Sequence, residues 1–546
     1  MFYFFRTVVL FFLLFVGVSL GIHWGASHYL HRNIVSGEGD MLPPLLPRSY
    51  FQVRDTQSGL ILAGMHAQNN RDWAHAWQNF ATLNDKFETN PQTALRAMTL
   101  AMGNGDFVQV EKIANELQEA YFAKDDQKET AQDAFDLARL FLVVQAVQQN
   151  DLEQANILNQ SMKKSILARF ALPIIDAWLM AEMDPQKIDK STRGLSDTQI
   201  VYKALAAKYA GQENVYKALQ SKIRNPKLVE AVDGNAPKTI HAALAMAFHD
   251  LAKAMLGERA IDSALLFAQM ATYLSPDLTF LYATIGDILS YQKQNIGAFK
   301  FYAKVLPSDD NYQKSLTKRV DILLDQNRFD EALSIARKAQ EESEVDKAEM
   351  HYLLGNIYRA DKQFEKALSA YDQAEVLLKE DNGGELPHEL LPLYYSRAIV
   401  LDLMDRWDEA EKDLFIAMDK LPNSPVILNY IGYAYADRDI KLDEAKEMLS
   451  QAVTLAPNDS FIVDSMGWIL YRMGEYDRAV KYLERAASLR PYHMVINDHL
   501  GDVYWKLGRQ REAHYMWQRA FDYYDDMDEE QVRMITETKR KLKEGL

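Results

Sequence analysis

Aromatic and acidic side chains alternate through the last third of this 546-residue chain, in three groups, ten residues in all: Asn429 and Tyr433; Asp464, Trp468, Tyr471 and Arg472; then Asp498, Asp502, Trp505 and Lys506. Within each group the main spacing is three or four, which puts the members on one face of a helix. Such residues bind rather than make bonds. Trp and Tyr offer large, rigid contact area, and carboxylates accept hydrogen bonds from backbone N–H groups or basic side chains. A wall of this kind suits an extended or helical protein segment with apolar anchors and basic or backbone donors. A second reading stands beside it: aromatics at helical spacing also serve as core between neighbouring elements.

Nothing comparable points to bond-making chemistry. Of the 12 histidines, His23, His28 and His31 cluster, and His66 with His75, His241 with His249, and His493 with His499 form loose pairs. None has the further ligands that a metal site needs, so no metal and no cofactor is expected. The chain holds no nucleophile elbow, no phosphate-binding glycine loop and no paired-histidine zinc helix. It has no cysteine, which excludes disulfides, thiolate metal sites, cysteine nucleophiles and lipid attachment through sulfur. The many Asp and Glu recur at helix-periodic positions, as solvated faces do. No enzyme is expected.

The elements that carry the wall are set by a period. Ala252, Gly286, Val320, Gly355, Ala398, Gly432, Gly467 and Gly501 are separated by 34, 34, 35, 43, 34, 35 and 34 residues. Twelve residues after nearly every one stands Ala264, Ala298, Ala332, Ala367, Ala410, Ala479 or Ala513, with Ala445 one residue late. Ala271, Ala339, Ala374, Ala417, Ala452, Ala486 and Ala520 follow seven later, and Pro276, Pro422, Pro457 and Pro491 close units. The pattern resembles the tetratricopeptide repeat (TPR), two antiparallel helices per unit. The small residue in the first helix admits the second, the two alanines admit the next unit, and the proline ends the second helix. No unit buries its apolar face alone, so units must stack. The expected fold is all-α: a TPR α-solenoid with an N-terminal transmembrane or signal helix. TPRs that clamp a terminal carboxylate use Lys and Asn where this chain has Asp464 and Asp498, which disfavours that ligand.

The chain divides by pattern into five stretches. Residues 1–27 hold the uncharged run Thr7–Ile22, about long enough to span a bilayer. Arg6 before it favours an anchor with the amino terminus inside, and a cleaved signal peptide is the alternative. Residues 28–57, with the Pro-rich run 42–48, form a linker. Residues 58–240 are degenerate TPR-like helix pairs, 241–524 a regular array of about eight repeats, and 525–546 a capping helix. In that cap Val532, Ile535 and Leu542 are expected to cover the last repeat, while Lys539, Arg540, Lys541 and Lys543 complement the helix dipole. With repeats reaching about residue 524, no catalytic domain is expected after them.

Charge sets the partner class. With 77 acidic against 61 basic residues the net charge is −16, so nucleic acid is not expected as partner. Segments 428–449, 464–486, 497–520 and 58–68 resemble a proteobacterial envelope TPR family that includes adaptors of periplasmic carboxyl-terminal processing proteases. The resemblance implies a scaffold at the bacterial inner membrane, single-pass, with its solenoid in the periplasm, bringing other proteins or peptide segments to a periplasmic protease. Release to the periplasm after signal cleavage is the alternative localisation. The lipoprotein members of that family carry a lipidated Cys that this chain lacks, so the N-terminal helix must make any membrane attachment. A structural subunit of an envelope assembly or export machine, and a cytoplasm-facing anchored scaffold, are the other readings.

Overall fold

The structure, a computed structural model, describes residues 57–69, 73–86, 91–119, 129–162, 166–225, 228, 237–342, 347–381, 392–524 and 529–546. Among these residues every long element is a helix, 26 α-helices in all, with one short 3-10 turn. The N-terminal run read as an anchor or signal segment lies outside the described residues. None of the described helices is long and apolar enough to cross a membrane.

The period in the sequence becomes a turn in the backbone. Seven residues after each aligned small residue stands one residue with positive φ: Arg259, Lys293, Asn327, Lys362, Asp405, Asp439, Gly474 and Gly508. The next N–H then bonds the carbonyl five residues back, as Glu475 does to Leu470 and Arg509 to Tyr504, both at 2.8 Å. This left-handed cap satisfies carbonyls that the helix end would leave open, and sends the chain back antiparallel. The closing prolines stand two residues beyond helices that end at Leu274, Lys420, Leu455 and Leu489.

Packing follows the small residues. All eight alanines from Ala264 to Ala513 are fully buried, as are Ala271 and Ala520. Gly501 shows why its position is small: a Cβ there would stand 2.4 Å from Cδ1 of Trp517, the largest residue of the paired helix. The close approach lets Trp517 bury completely.

Two compact units divide between Ile322 and Leu323, inside the helix Tyr312–Leu324. In the first unit the helices Gln57–Asn69 to Glu213–Gln220 precede the regular pairs Ile240–Gly257 with Ile261–Leu274 and Phe280–Tyr291 with Asn295–Tyr302. This unit is not a linear stack. The helix Pro91–Gly103 packs on Ile261–Leu274, and Ile166–Met183 packs on Ile240–Gly257. Gln269 donates to the Gly103 carbonyl at 3.2 Å in a buried contact, and Tyr273 lies 4.5 Å from Phe107 and 5.6 Å from Phe141 between ring centres. These contacts join helices that are not neighbours along the chain.

The second unit runs from Phe329–Glu342 through five helix pairs to the last helix, Glu529–Glu544. Arg397 ties three of its helices together, bonding Asp413 through two nitrogens at 2.6 and 2.9 Å and reaching Glu375 and Asp372 at 2.6 and 2.9 Å. Burial raises the Glu375 carboxyl, but its bonds to Lys379, Arg397 and Tyr394 outweigh that and hold it at about 2. In the last helix Ile535 is buried and Leu542 half-buried against the final repeats, whereas Val532 is 40% exposed.

Candidate functional site

Three first helices carry the ten wall residues: Pro425–Arg438, Ser460–Arg472 and Met494–Lys506. The first two start at defined points. Ser424 precedes Pro425 at the first, and the Asp459 carboxylate accepts from the N–H groups of Phe461 and Ile462 at 2.9 and 3.3 Å at the second. Each first helix touches the first helix of the next repeat, so within this unit the wall is continuous.

At the last repeat the chain itself covers the wall. Thr538 donates its hydroxyl to Asp498 at 2.7 Å, and the Lys541 ammonium sits 2.7 Å from Asp498 and 2.8 Å from Asp502. Trp517 donates its indole N–H to Asp502 at 2.9 Å. All these side chains are buried. Burial, then the neighbouring Asp498, pushes the Asp502 carboxyl up to about 6, against the pull of Lys541 and Trp517. Burial would lower the Lys541 pKa, but the two carboxylates hold it above the ordinary lysine value. Beyond them, Gly545 presses on the Trp505 ring, where a Cβ would stand 2.3 Å from Cζ2. Asp498, Asp502 and Trp505 therefore face the last helix of their own chain, and Lys506 is exposed. Lys541 is not the dipole-complementing surface residue expected from the sequence. Its partners lie 43 and 39 residues away, beyond what local spacing shows.

One repeat earlier the wall is differently filled. Asp464 Oδ2 pairs with His499 Nδ1 at 3.0 Å, and both residues are buried. Burial lowers the His499 pKa, yet the Asp464 carboxylate, with Asp498 and Asp502, outweighs it and holds the imidazole above its ordinary value. Trp468 lies nearly parallel to His499 at 4.0 Å and to Tyr471 at 4.9 Å between ring centres. Arg472 stands over Trp468 at 5.9 Å and bonds the Asp437 carbonyl at 3.3 Å. Burial, chiefly, raises the Tyr471 phenol. Three polar atoms here, Asp464 Oδ1, Trp468 Nε1 and Asn429 Oδ1, are shut off from solvent with no hydrogen-bond partner among the described residues. Asn429 and Tyr433 are half-buried on the helix before.

Elsewhere in this unit a cleft of about 670 Å³ is lined by His351, Glu365, Asp372, Val376, Met404 and Arg406, a feature no sequence motif marks. Among the described residues no group of His, Asp and Glu could hold a metal ion. Trp468 and Tyr471 remain partly exposed on their helix.

Comparison with known proteins bears on these repeats. Residues 317–385 and 464–493 match tetratricopeptide repeat families. These two stretches are tetratricopeptide repeats. Over 191 residues it is 31% identical to a TPR repeat-containing protein of Pseudomonas aeruginosa, an alignment covering 35% of this chain and 31% of that protein. The chain thus spans about a third of the length of the curated relative it matches. Solved structures that the chain matches include a tetratricopeptide repeat protein from Parabacteroides merdae (15% identity, 48% of this chain and 98% of that one, TM-score 0.36) and yeast Tom70 (15%, 89% and 95%, 0.35). A third is the APC/C hetero-tetramer Cut9-Hcn1 (13%, 91% and 92%, 0.40). Tetratricopeptide arrays are protein-interaction scaffolds, and no catalytic family matches among these comparisons.

Proposed function

We propose that this chain is a non-enzymatic scaffold of the bacterial cell envelope, attached to the inner membrane by its N-terminal run, that captures protein segments on the wall around Trp468 and presents them to a periplasmic protease. The observation that carries the binding part is the strip of Trp468, Tyr471 and Arg472 on the one first helix Ser460–Arg472, beside buried polar atoms that lack partners among the described residues. Aromatic and Arg side chains next to desolvated acceptors have the composition of binding hot spots. The envelope and protease parts are supported by the resemblance of residues 428–449, 464–486 and 497–520 to the envelope adaptors, and by the uncharged run at residues 7–22.

The test is site-specific photocrosslinking of the full-length chain in its native membrane. A crosslinker at Arg472 reports the wall, and one at exposed Leu455 or Tyr515 reports the second helices. Protease and assorted clients captured from Arg472 alone support the reading. Capture from the second helices only would remove the wall from it, and a fixed set of assembly proteins would replace the adaptor by a structural subunit.

A further inference from the structure

Along the edge of the second unit, where second helices turn into the first helices that follow, two residue types recur in register. Leu455, Leu489 and Tyr523 stand 34 residues apart, and all three are exposed. Arg485 and Arg519, also 34 apart, each reach the turn that opens their own repeat. Arg485 donates to the Asn458 side chain at 3.3 Å, and Arg519 to the Pro491 carbonyl at 2.7 Å. Arg490 lies over Phe461 at 4.5 Å, and Arg519 over Tyr492 and Tyr523 at 5.9 and 5.7 Å. Tyr492, 69% exposed, lies 5.1 Å from Tyr523 between ring centres. These contacts join the last two repeats into one exposed strip of rings and guanidiniums.

The charge of the strip is unmatched. In a chain with 77 acidic against 61 basic residues, none of Arg485, Arg490 and Arg519 meets a carboxylate among the described residues. The acids near them in sequence are used elsewhere: Asp459 caps its helix, Glu484 accepts from Tyr504 and Arg509, and Asp522 accepts from Gln518. By contrast Arg406, Arg509 and Arg540 each hold a glutamate three residues away.

We infer that this strip docks an acidic segment of a partner protein, its carboxylates on Arg485, Arg490 and Arg519 and an apolar side chain against Leu489 and Tyr492. The surface is separate from the wall, because Phe461 stands at the opposite end of the helix Ser460–Arg472 from Arg472. Charge complementarity selects an anion, and guanidinium with carboxylate is a charge-assisted pair. Tyr and Arg together have the composition of a protein-binding patch. The rest of the molecule selects a short segment over a lipid surface. A net charge of −16 repels an extended anionic surface, whereas a short segment meets only charges within about 8 Å, the screening length at physiological salt.

The probe is a synthetic peptide repeating Glu-Glu-Leu, added to the full-length chain. Its Lys-Lys-Leu counterpart and phosphatidylglycerol vesicles are the comparisons. Saturable binding of the acidic peptide alone is expected, weakened by salt, with crosslinks from the peptide to residues 489–492. Arg485→Gln together with Arg490→Gln is expected to weaken it about fivefold, as loss of two exposed ion pairs does. Lysine at both positions should restore most of it. Both side chains are exposed, so the thermal midpoint of the variants should hold. Four results overturn the inference: no saturable binding, equal binding of the Lys-Lys-Leu peptide, binding indifferent to the glutamines, or vesicle binding that the glutamines abolish, which would make the strip a lipid contact. None of them bears on capture of clients from Arg472, so the scaffold reading stands or falls apart from this one.

Discussion

Lys541 and Asp498, 43 residues apart in sequence, meet at 2.7 Å under the end of the second unit, with both side chains almost wholly removed from water. Taking two charges out of water is costly, and what makes the pair tolerable is that every oxygen of Asp498 and Asp502 has a donor: Thr538, Trp517 or the shared ammonium. The last helix is therefore held by a fully satisfied polar lock as well as by Ile535 and Leu542.

Removing one key of that lock should release the helix. Lys541→Met leaves two buried carboxylates without their cation, a loss of about 3–5 kcal/mol. Hydrogen exchange should show residues 529–544 deprotected while Phe364–Asp381 stays protected. Unchanged protection would mean that apolar contact alone seats the helix.

The same cluster should make the end of the array sensitive to pH. Asp502 is raised from 3.8 to about 6, and His499 is raised as well, so the folded state holds protons more tightly than the unfolded one. The stability they add is complete below the unfolded pKa values and is lost as pH rises through the folded ones. Between about pH 4 and 6 the Asp502 effect amounts to on the order of 1–3 kcal/mol. Thermal unfolding of the second unit at pH 5 and pH 8 should show the drop, and Asp502→Asn should flatten it.

Gly501→Ala tests the packing beneath the lock. The added Cβ, 2.4 Å from the Trp517 ring, must push a fully buried indole whose N–H also serves Asp502. Overpacking of this kind costs about 1–3 kcal/mol, to be read by denaturant titration. A neutral result would show that the two helices can part without loss.

Lys293→Gly should do the reverse. Lys293 is exposed and holds φ at 61°, a left-handed turn that only glycine adopts without strain, and two other repeats place Gly474 and Gly508 there. The expected gain is about 0.5–1 kcal/mol in the first unit. A loss would mean that the lysine stem contributes more than its backbone costs.

How far the sequence could carry these conclusions depends on distance along the chain. The repeat was legible because Ala264, Gly501 and their equivalents are small for a local reason, the approach of a helix about twelve to sixteen residues away. The wall was legible as positions, since a face of a helix follows from its period. Its contents were not. Nothing in the spacing of Asp498 and Asp502 announces that Lys541 will return to them, and a lysine near a helix end has a sufficient surface explanation in the dipole. His499 under Trp468 was likewise invisible, because a stack of rings from neighbouring repeats depends on how the repeats lean.

The contact of Gln269 with Gly103 carries a consequence for how the first unit comes to be. A linear array can begin folding at any repeat and grow by adding neighbours, and it tolerates the loss of one. A chain that must bring together residues 166 positions apart closes a long loop before that contact is rewarded, which slows folding and makes it all-or-none. Excising one helix pair between Glu129 and Gln220 would therefore dislocate both sides of the closure at once, whereas the second unit could be lengthened or shortened by whole repeats.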